Sequence, residues 1–126
     1  MIYCDTAATT PIDPRVLAIM NQVLSEIFGN PSSIHSAGQA ARAIIEKSRR
    51  TIASILNAET GEIYFTGGGS ESNNIVLRGS LKAGDHLITS SIEHPAILQP
   101  AQELVNLGIE LTILEPDSNG QIQPSS

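Results

Sequence analysis

From Ile63 onward the sequence alternates short apolar runs with stretches of helical periodicity, and that alternation leaves few folds open. The runs Ile63–Thr66, His86–Ser90 and Ile109–Leu114 predict strands. Between them, Ser70 to about Lys82 and Pro95 to about Leu107 predict helices, the second with Ile97, Leu98, Ala101, Leu104 and Val105 on one face. Strand–helix–strand units of this length call for parallel strands and right-handed crossovers, so the fold class is α/β, parallel strands with flanking helices. A parallel sheet is normally covered on both faces within a larger domain. The three predicted strands make a small one, and the polar run from Asp117 to Ser126 adds no closing element. The sequence therefore reads as the front of a longer α/β domain.

The first half has a different rhythm. Asp13 can cap a helix and Pro14 suits its first position, while Val16, Leu17, Met20, Val23, Leu24 and Ile27 recur at helical spacing as far as Phe28. Gly29, Asn30 and Pro31 end that helix, and a loop rich in turn formers runs to His35. A second helix is expected from about Ala37 to Leu56, with Ser36 and Gln39 spaced as a capping box. The opening, Tyr3 to Pro11, is small and hydroxylated and fits neither helix nor half-buried strand; it predicts an extended segment over a surface. The expected division is residues 1–35, an N-terminal segment with the first helix and a loop, and residues 36–126, the start of a larger domain.

Charge and cysteine usage narrow the function classes. With 126 residues, 40% of them apolar, the chain is long enough for a core and is at most one domain. A net charge of −6 with seven scattered basic residues argues against a nucleic-acid surface, and the adjacent Arg49 and Arg50 read as a solvated helix face. No apolar run approaches membrane-spanning length, and no basic and apolar leader opens the chain, so a cytoplasmic location is expected. The single cysteine, Cys4, has no internal disulfide partner and reads as a small apolar residue rather than a nucleophile. His35, His86 and His94 share no ligand spacing with it, so no metal site is expected.

Two places carry candidate chemistry. At Phe65–Asn74 an apolar run stops at Gly67, Gly68 and Gly69, and Ser70 opens a helix. Glycines permit backbone conformations closed to other residues, and amides at a helix N-terminus attract anions, so this turn suits a phosphate. An ordinary strand–glycine–helix joint has the same composition. The absence of Gly-Lys-Ser/Thr and of the dinucleotide glycine spacing excludes those two phosphate loops. The second place is Glu93-His94, just past the strand at His86–Ser90 and before Pro95. Ligands of parallel α/β sheets bind beyond the carboxyl ends of strands, so the glycine turn and His94 should face one crevice. There His94 either stacks on a flat ring and moves a proton, or only caps the following helix.

Four segments in order, Asp5-x-Ala7-Ala8-Thr9-Thr10-Pro11, Gly29-Asn30-Pro31-Ser32-Ser33-x-His35, Phe65-Thr66-x-Gly68-x-Ser70-Glu71-Ser72-x-Asn74 and Glu93-His94-x-Ala96, resemble the start of cysteine desulfurases of the NifS/IscS type. The resemblance implies the N-terminal part of the fold type I large domain of class V aminotransferase-like enzymes, which depend on pyridoxal 5'-phosphate. It implies that Gly69 and Ser70 bind the cofactor phosphate, that His94 stacks on the pyridine ring and assists proton transfer, and that Asn30 to His35 lie near the active-site mouth and a subunit interface. The implied reaction takes sulfur from L-cysteine, leaving alanine and a persulfide on an enzyme cysteine. The implied partners are a second copy in a homodimer and an iron–sulfur scaffold or other sulfur acceptor, as in cluster assembly or tRNA thiolation.

The sequence also departs from that pattern. Gly67 and Gly69 stand where the family has a hydroxyl residue and an alanine, Asn73 where it has aspartate, and Thr6 where it has an aromatic. The family's cofactor lysine, pyridine-pairing aspartate, substrate-binding arginine and persulfide cysteine lie beyond the span covered by these 126 residues. Lys47 and Lys82 fall on predicted helices away from the loop, and Cys4 is at the wrong end for the persulfide role. The 126 residues alone are thus expected to be inactive. Two further readings stay open: another class V enzyme such as a selenocysteine lyase, and a non-catalytic phosphate-binding or dimerisation fragment.

Overall fold

In a computed structural model of the chain, residues 2–123 are described. They form four helices and two strands: α1 (Pro14–Glu26), α2 (Ser36–Leu56), α3 (Gly69–Ser80), β1 (His86–Ser90), α4 (Pro95–Val105) and β2 (Glu110–Leu114), with a 3-10 turn at Thr60–Glu62. The chain divides into two compact units, Met1–Tyr64 and Phe65–Ser126.

In the first unit, α1 starts where Asp13 accepts a hydrogen bond from the Arg15 amide (2.8 Å), with Pro14 in the first turn. The helix forms but ends at Glu26, two residues before the expected Phe28; none of its residues is buried, and Val16, Ile19 and Leu24 are more than half exposed. Its stripe is sufficient for a helix, not for a core. The second helix departs from the expected cap. His35, not Ser36, is its N-cap: its Nδ1 accepts from the Gly38 amide (3.4 Å), and the Gln39 side chain donates to the Ile34 carbonyl (2.9 Å) instead of closing a box. That choice follows from the loop, where Asn30 folds back on Ser32 and Ser33 and delivers His35 in extended conformation at the helix entrance. Asn57 ends α2 in the left-handed conformation (φ 52°, ψ 43°), as helix C-termini commonly do.

The opening segment is not simply extended. Asp5 accepts from the amides of Ala8 and Thr9, making a turn, and the Tyr3 hydroxyl lies 2.9 Å from the carbonyl oxygens of both Asp5 and Thr9. Cys4 is exposed rather than packed as a small apolar residue. Arg49 also differs from a purely solvated residue: it pairs with Glu46 (3.3 Å) and donates to the Ile63 carbonyl.

The second unit is the α/β part. β1 and β2 are parallel, in register from His86 opposite Glu110 to Ser90 opposite Leu114, with α4 as the crossover. α4 packs on β2, and α3 packs on α4. Ala101, Leu104 and Ile109 form the buried core with Pro100, which interrupts the α4 hydrogen-bond ladder on the buried side. Turns with glycine at positive φ, Gly84 (94°) and Gly108 (86°), lead into the two strands and meet through a Gly84 amide to Gly108 carbonyl bond of 2.8 Å. The His86 ring nitrogen and the Thr112 hydroxyl, 2.8 Å apart, tie the strands at one end.

The strand expected at Ile63–Thr66 is absent. Its residues have strand-like composition, but a strand exists only where a neighbouring strand takes its backbone groups, and among the described residues only β1 and β2 pair as strands. Tyr64 and Phe65 are correspondingly at least half exposed. Both α3 and α4 end two residues earlier than their patterns suggested, so Lys82 lies in the turn before β1, where its amide donates to Asp85 (2.8 Å). None of the helices is long and apolar enough to cross a membrane among the described residues.

Candidate functional site

The glycine turn and His94 both belong to the second unit and flank the α3–α4 pair. Gly68 is the N-cap of α3 in a fully extended conformation (φ 163°, ψ 174°), Gly69 is its first residue and Ser70 its second. None of Gly67, Gly68 and Gly69 has left-handed backbone. Their value here is space: a Cβ built on Gly68 or Gly69 meets nothing within 4 Å, so their backbone is open to an approaching ligand.

The Gly67 amide donates to Glu71 Oε2 (2.6 Å). The Thr66 and Ser72 hydroxyls lie 2.7 Å apart, and both reach the Gly68 carbonyl, at 3.2 and 3.4 Å. The first intrahelical bond comes from the Ser72 amide to that same carbonyl (3.1 Å). The amides of Gly69, Ser70 and Glu71 have no acceptor among the described residues, as the first turn of any helix dictates. The Ser70 hydroxyl makes no hydrogen bond among the described residues either, while the Ser70 carbonyl accepts from the Asn74 side chain (2.9 Å). Open amides, a free hydroxyl and the positive end of a helix form a donor set that fits a phosphate.

His94 is the N-cap of α4, its Nδ1 accepting from the Ala96 amide at 3.0 Å. The capping alternative is therefore real, and it has a chemical consequence. With Nδ1 committed as acceptor, the neutral ring carries its proton on Nε2, which makes no hydrogen bond among the described residues, and the side chain is exposed. Ser70 and His94 line one open groove of about 410 Å³ between α3 and α4, together with Asn74, Arg78, Gln99 and Glu103. Gly69 is not among its lining residues. Arg78 bridges the helices, donating to Asn74 on α3 (3.0 Å) and pairing with Glu103 on α4.

Sequence reasoning missed Glu71 and the Arg78 bridge. Glu71 is the third residue of α3, the position from which a glutamate reaches back over a helix start, so capping rules contained its signal. Nothing local marks Arg78 and Glu103 as partners, because their meeting depends on how α3 packs on α4. Among the described residues, no group of three histidine, cysteine, aspartate or glutamate side chains is placed to hold a metal ion.

The chain has known relatives. A cysteine desulfurase IscS of Dictyoglomus turgidum is 46% identical over 98% of this chain and 32% of its own length. A NifS/IcsS protein homologue of Lactobacillus delbrueckii is 44% identical over 98% of this chain and 33% of its own. Among solved structures, a NifS-like protein superposes with a TM-score of 0.83 at 34% identity, covering 96% of this chain and 34% of that one. The cysteine desulfurase of Thermococcus onnurineus gives 0.82 at 32% identity, covering 98% and 32%. The chain thus spans about a third of the length of the relatives it matches, and its α/β part is that of the fold type I enzymes. The sequence pattern described as aminotransferase class-V matches residues 2–126, and the chain belongs to that family.

Proposed function

We propose that this chain supplies the phosphate-binding loop and the ring-facing histidine of a pyridoxal-phosphate-dependent cysteine desulfurase, which takes sulfur from L-cysteine, leaves L-alanine and carries the sulfur as a persulfide on an enzyme cysteine. The observation that carries the reading is the groove shared by Ser70 and His94, with the open amides of Gly69 and Ser70 beside it. In this reading Gly69 and Ser70 hold the phosphate through their amides and the Ser70 hydroxyl. His94 lies against the flat ring and holds or moves a proton at Nε2, its Nδ1 being kept busy by the Ala96 amide. The cofactor, when bound, draws electrons from the substrate's carbon skeleton and so loosens bonds at its α and β carbons. A homodimer, an iron–sulfur scaffold or another sulfur acceptor as partner, and the division of the chain at 35/36 belong to the same proposal.

Equilibrium dialysis of the chain against pyridoxal 5'-phosphate tests it. The chain is expected to retain the cofactor, and Ser70→Ala to weaken retention about tenfold or more, the net worth of a hydrogen bond to a charged group. His94→Asn keeps a good helix cap but removes the ring, so it should alter the absorbance of bound cofactor without unfolding α4. No retention by the unaltered chain, or equal retention by Ser70→Ala, refutes the assignment.

A further inference from the structure

We propose that Glu71 is a positioning residue that clamps the glycine turn in its phosphate-accepting shape, an inference that rests on the phosphate reading of the turn. Three consecutive glycines have the widest backbone freedom of any tripeptide, and ordering them is entropically costly. Packing does not order these: Gly68 and Gly69 have nothing within 4 Å of where a Cβ would be, and the turn is exposed. What holds the turn is hydrogen bonding from its own helix. Glu71 Oε2 takes the Gly67 amide at 2.6 Å, a short bond to a carboxylate acceptor. Thr66 before the turn and Ser72 on the helix hold the Gly68 carbonyl through longer and uncharged bonds.

These grips divide the labour of the turn. Gly67 donates inward to Glu71, so its amide is withdrawn from any ligand, whereas the amides of Gly69 and Ser70 are left without acceptors. A Cβ at position 67 would come within 3.1 Å of Glu71 Oε2, so the carboxylate also lies close over the residue it holds. The glycines leave room for the ligand, and Glu71 supplies the order they lack.

The test compares Glu71→Ala, which removes the acceptor, with Glu71→Gln, which keeps an acceptor oxygen and removes the charge. The readouts are NMR amide exchange at Gly67 and titration with inorganic phosphate, with helix content by circular dichroism as the folding check. Glu71→Ala is expected to speed Gly67 exchange about tenfold and weaken phosphate about fivefold, at unchanged helix content. Glu71→Gln should stay within about twofold of the parent on both readouts, the rescue that a geometric clamp requires and a purely electrostatic role of the carboxylate does not. Gly67 exchange untouched by Glu71→Ala, or Glu71→Gln matching Glu71→Ala, overturns the clamp. If the unaltered chain ignores phosphate while Gly67 exchange still depends on Glu71, the clamp stands and the phosphate reading fails.

Discussion

Alanine substitution at Gly38 and Gly79 should have opposite effects, although both glycines lie in helices. Gly38 is the third residue of α2 and is buried; Gly79 lies in the last turn of α3 and is exposed. A Cβ on Gly38 would sit 2.5 Å from the Ser33 carbonyl oxygen, 2.6 Å from that of Asn30 and 2.8 Å from Ser33 Cβ. All are closer than carbon atoms tolerate, and none is the free end of a flexible side chain, so the loop or the helix must move. Overpacking of this kind costs about 1–3 kcal/mol, and backbone obstacles place it in the upper half. The helix-propensity gain of alanine returns up to about 1 kcal/mol, less near a helix end, leaving a loss of roughly 1–2 kcal/mol. At Gly79 a Cβ meets nothing within 4 Å, so only the gain of about 0.5–1 kcal/mol remains. With a urea slope of about 2 kcal/mol per molar, Gly38→Ala should lower the denaturation midpoint of its unit by roughly 0.5–1 M and Gly79→Ala should raise that of its own. Urea titration followed by far-UV circular dichroism reads both. A Gly38→Ala midpoint at or above the parent's would refute the close-approach argument.

Two more outcomes follow from the same structure. The Asp13 carboxyl is held below its usual 3.8, first by the Arg15 side chain and then by the Arg15 amide. A carboxyl depressed on folding contributes stability that is present above its unfolded value and lost as pH falls through the folded one, so α1 should begin to fray only below about pH 3.8. Replacing Arg15 by glutamine should move the Asp13 titration, followed by carbonyl NMR, back up toward 3.8. At the end of α2, Asn57→Gly should hold or raise stability by up to about 1 kcal/mol, because glycine adopts the left-handed conformation without a Cβ penalty, whereas Asn57→Ala should lower it by about 1 kcal/mol. Thermal melts of the two variants, in that order or the reverse, decide the point.

The helices were legible because their causes are local. Asp13 with Pro14, the stripe of α2, and Pro95 followed by Ile97, Leu98, Ala101 and Leu104 specify start, period and face within a few residues. The strands His86–Ser90 and Glu110–Leu114 were legible too, since glycine turns and a helical crossover of standard length bring them into register. Gly69, Ser70 and His94 were found as candidates from their places at helix starts, and four ordered motifs pointed to the family before any geometry was known.

Other features depended on contacts between residues that the sequence does not pair. Ile63–Thr66 has the composition of a strand and forms none, because a ladder needs a neighbour and composition cannot provide it. His35 displaced Ser36 as the cap of α2 because the Asn30 loop delivers its side chain to the helix entrance. The glycines of the turn at the α3 start lack left-handed backbone, and the Gly67 amide donates to Glu71. By itself the sequence determined which segments are helical, the parallel α/β class and the family, since periodicity, capping and motif order act over short distances. The tertiary structure alone decided that Ser70 and His94 share a groove, because that depends on how α3 packs against α4.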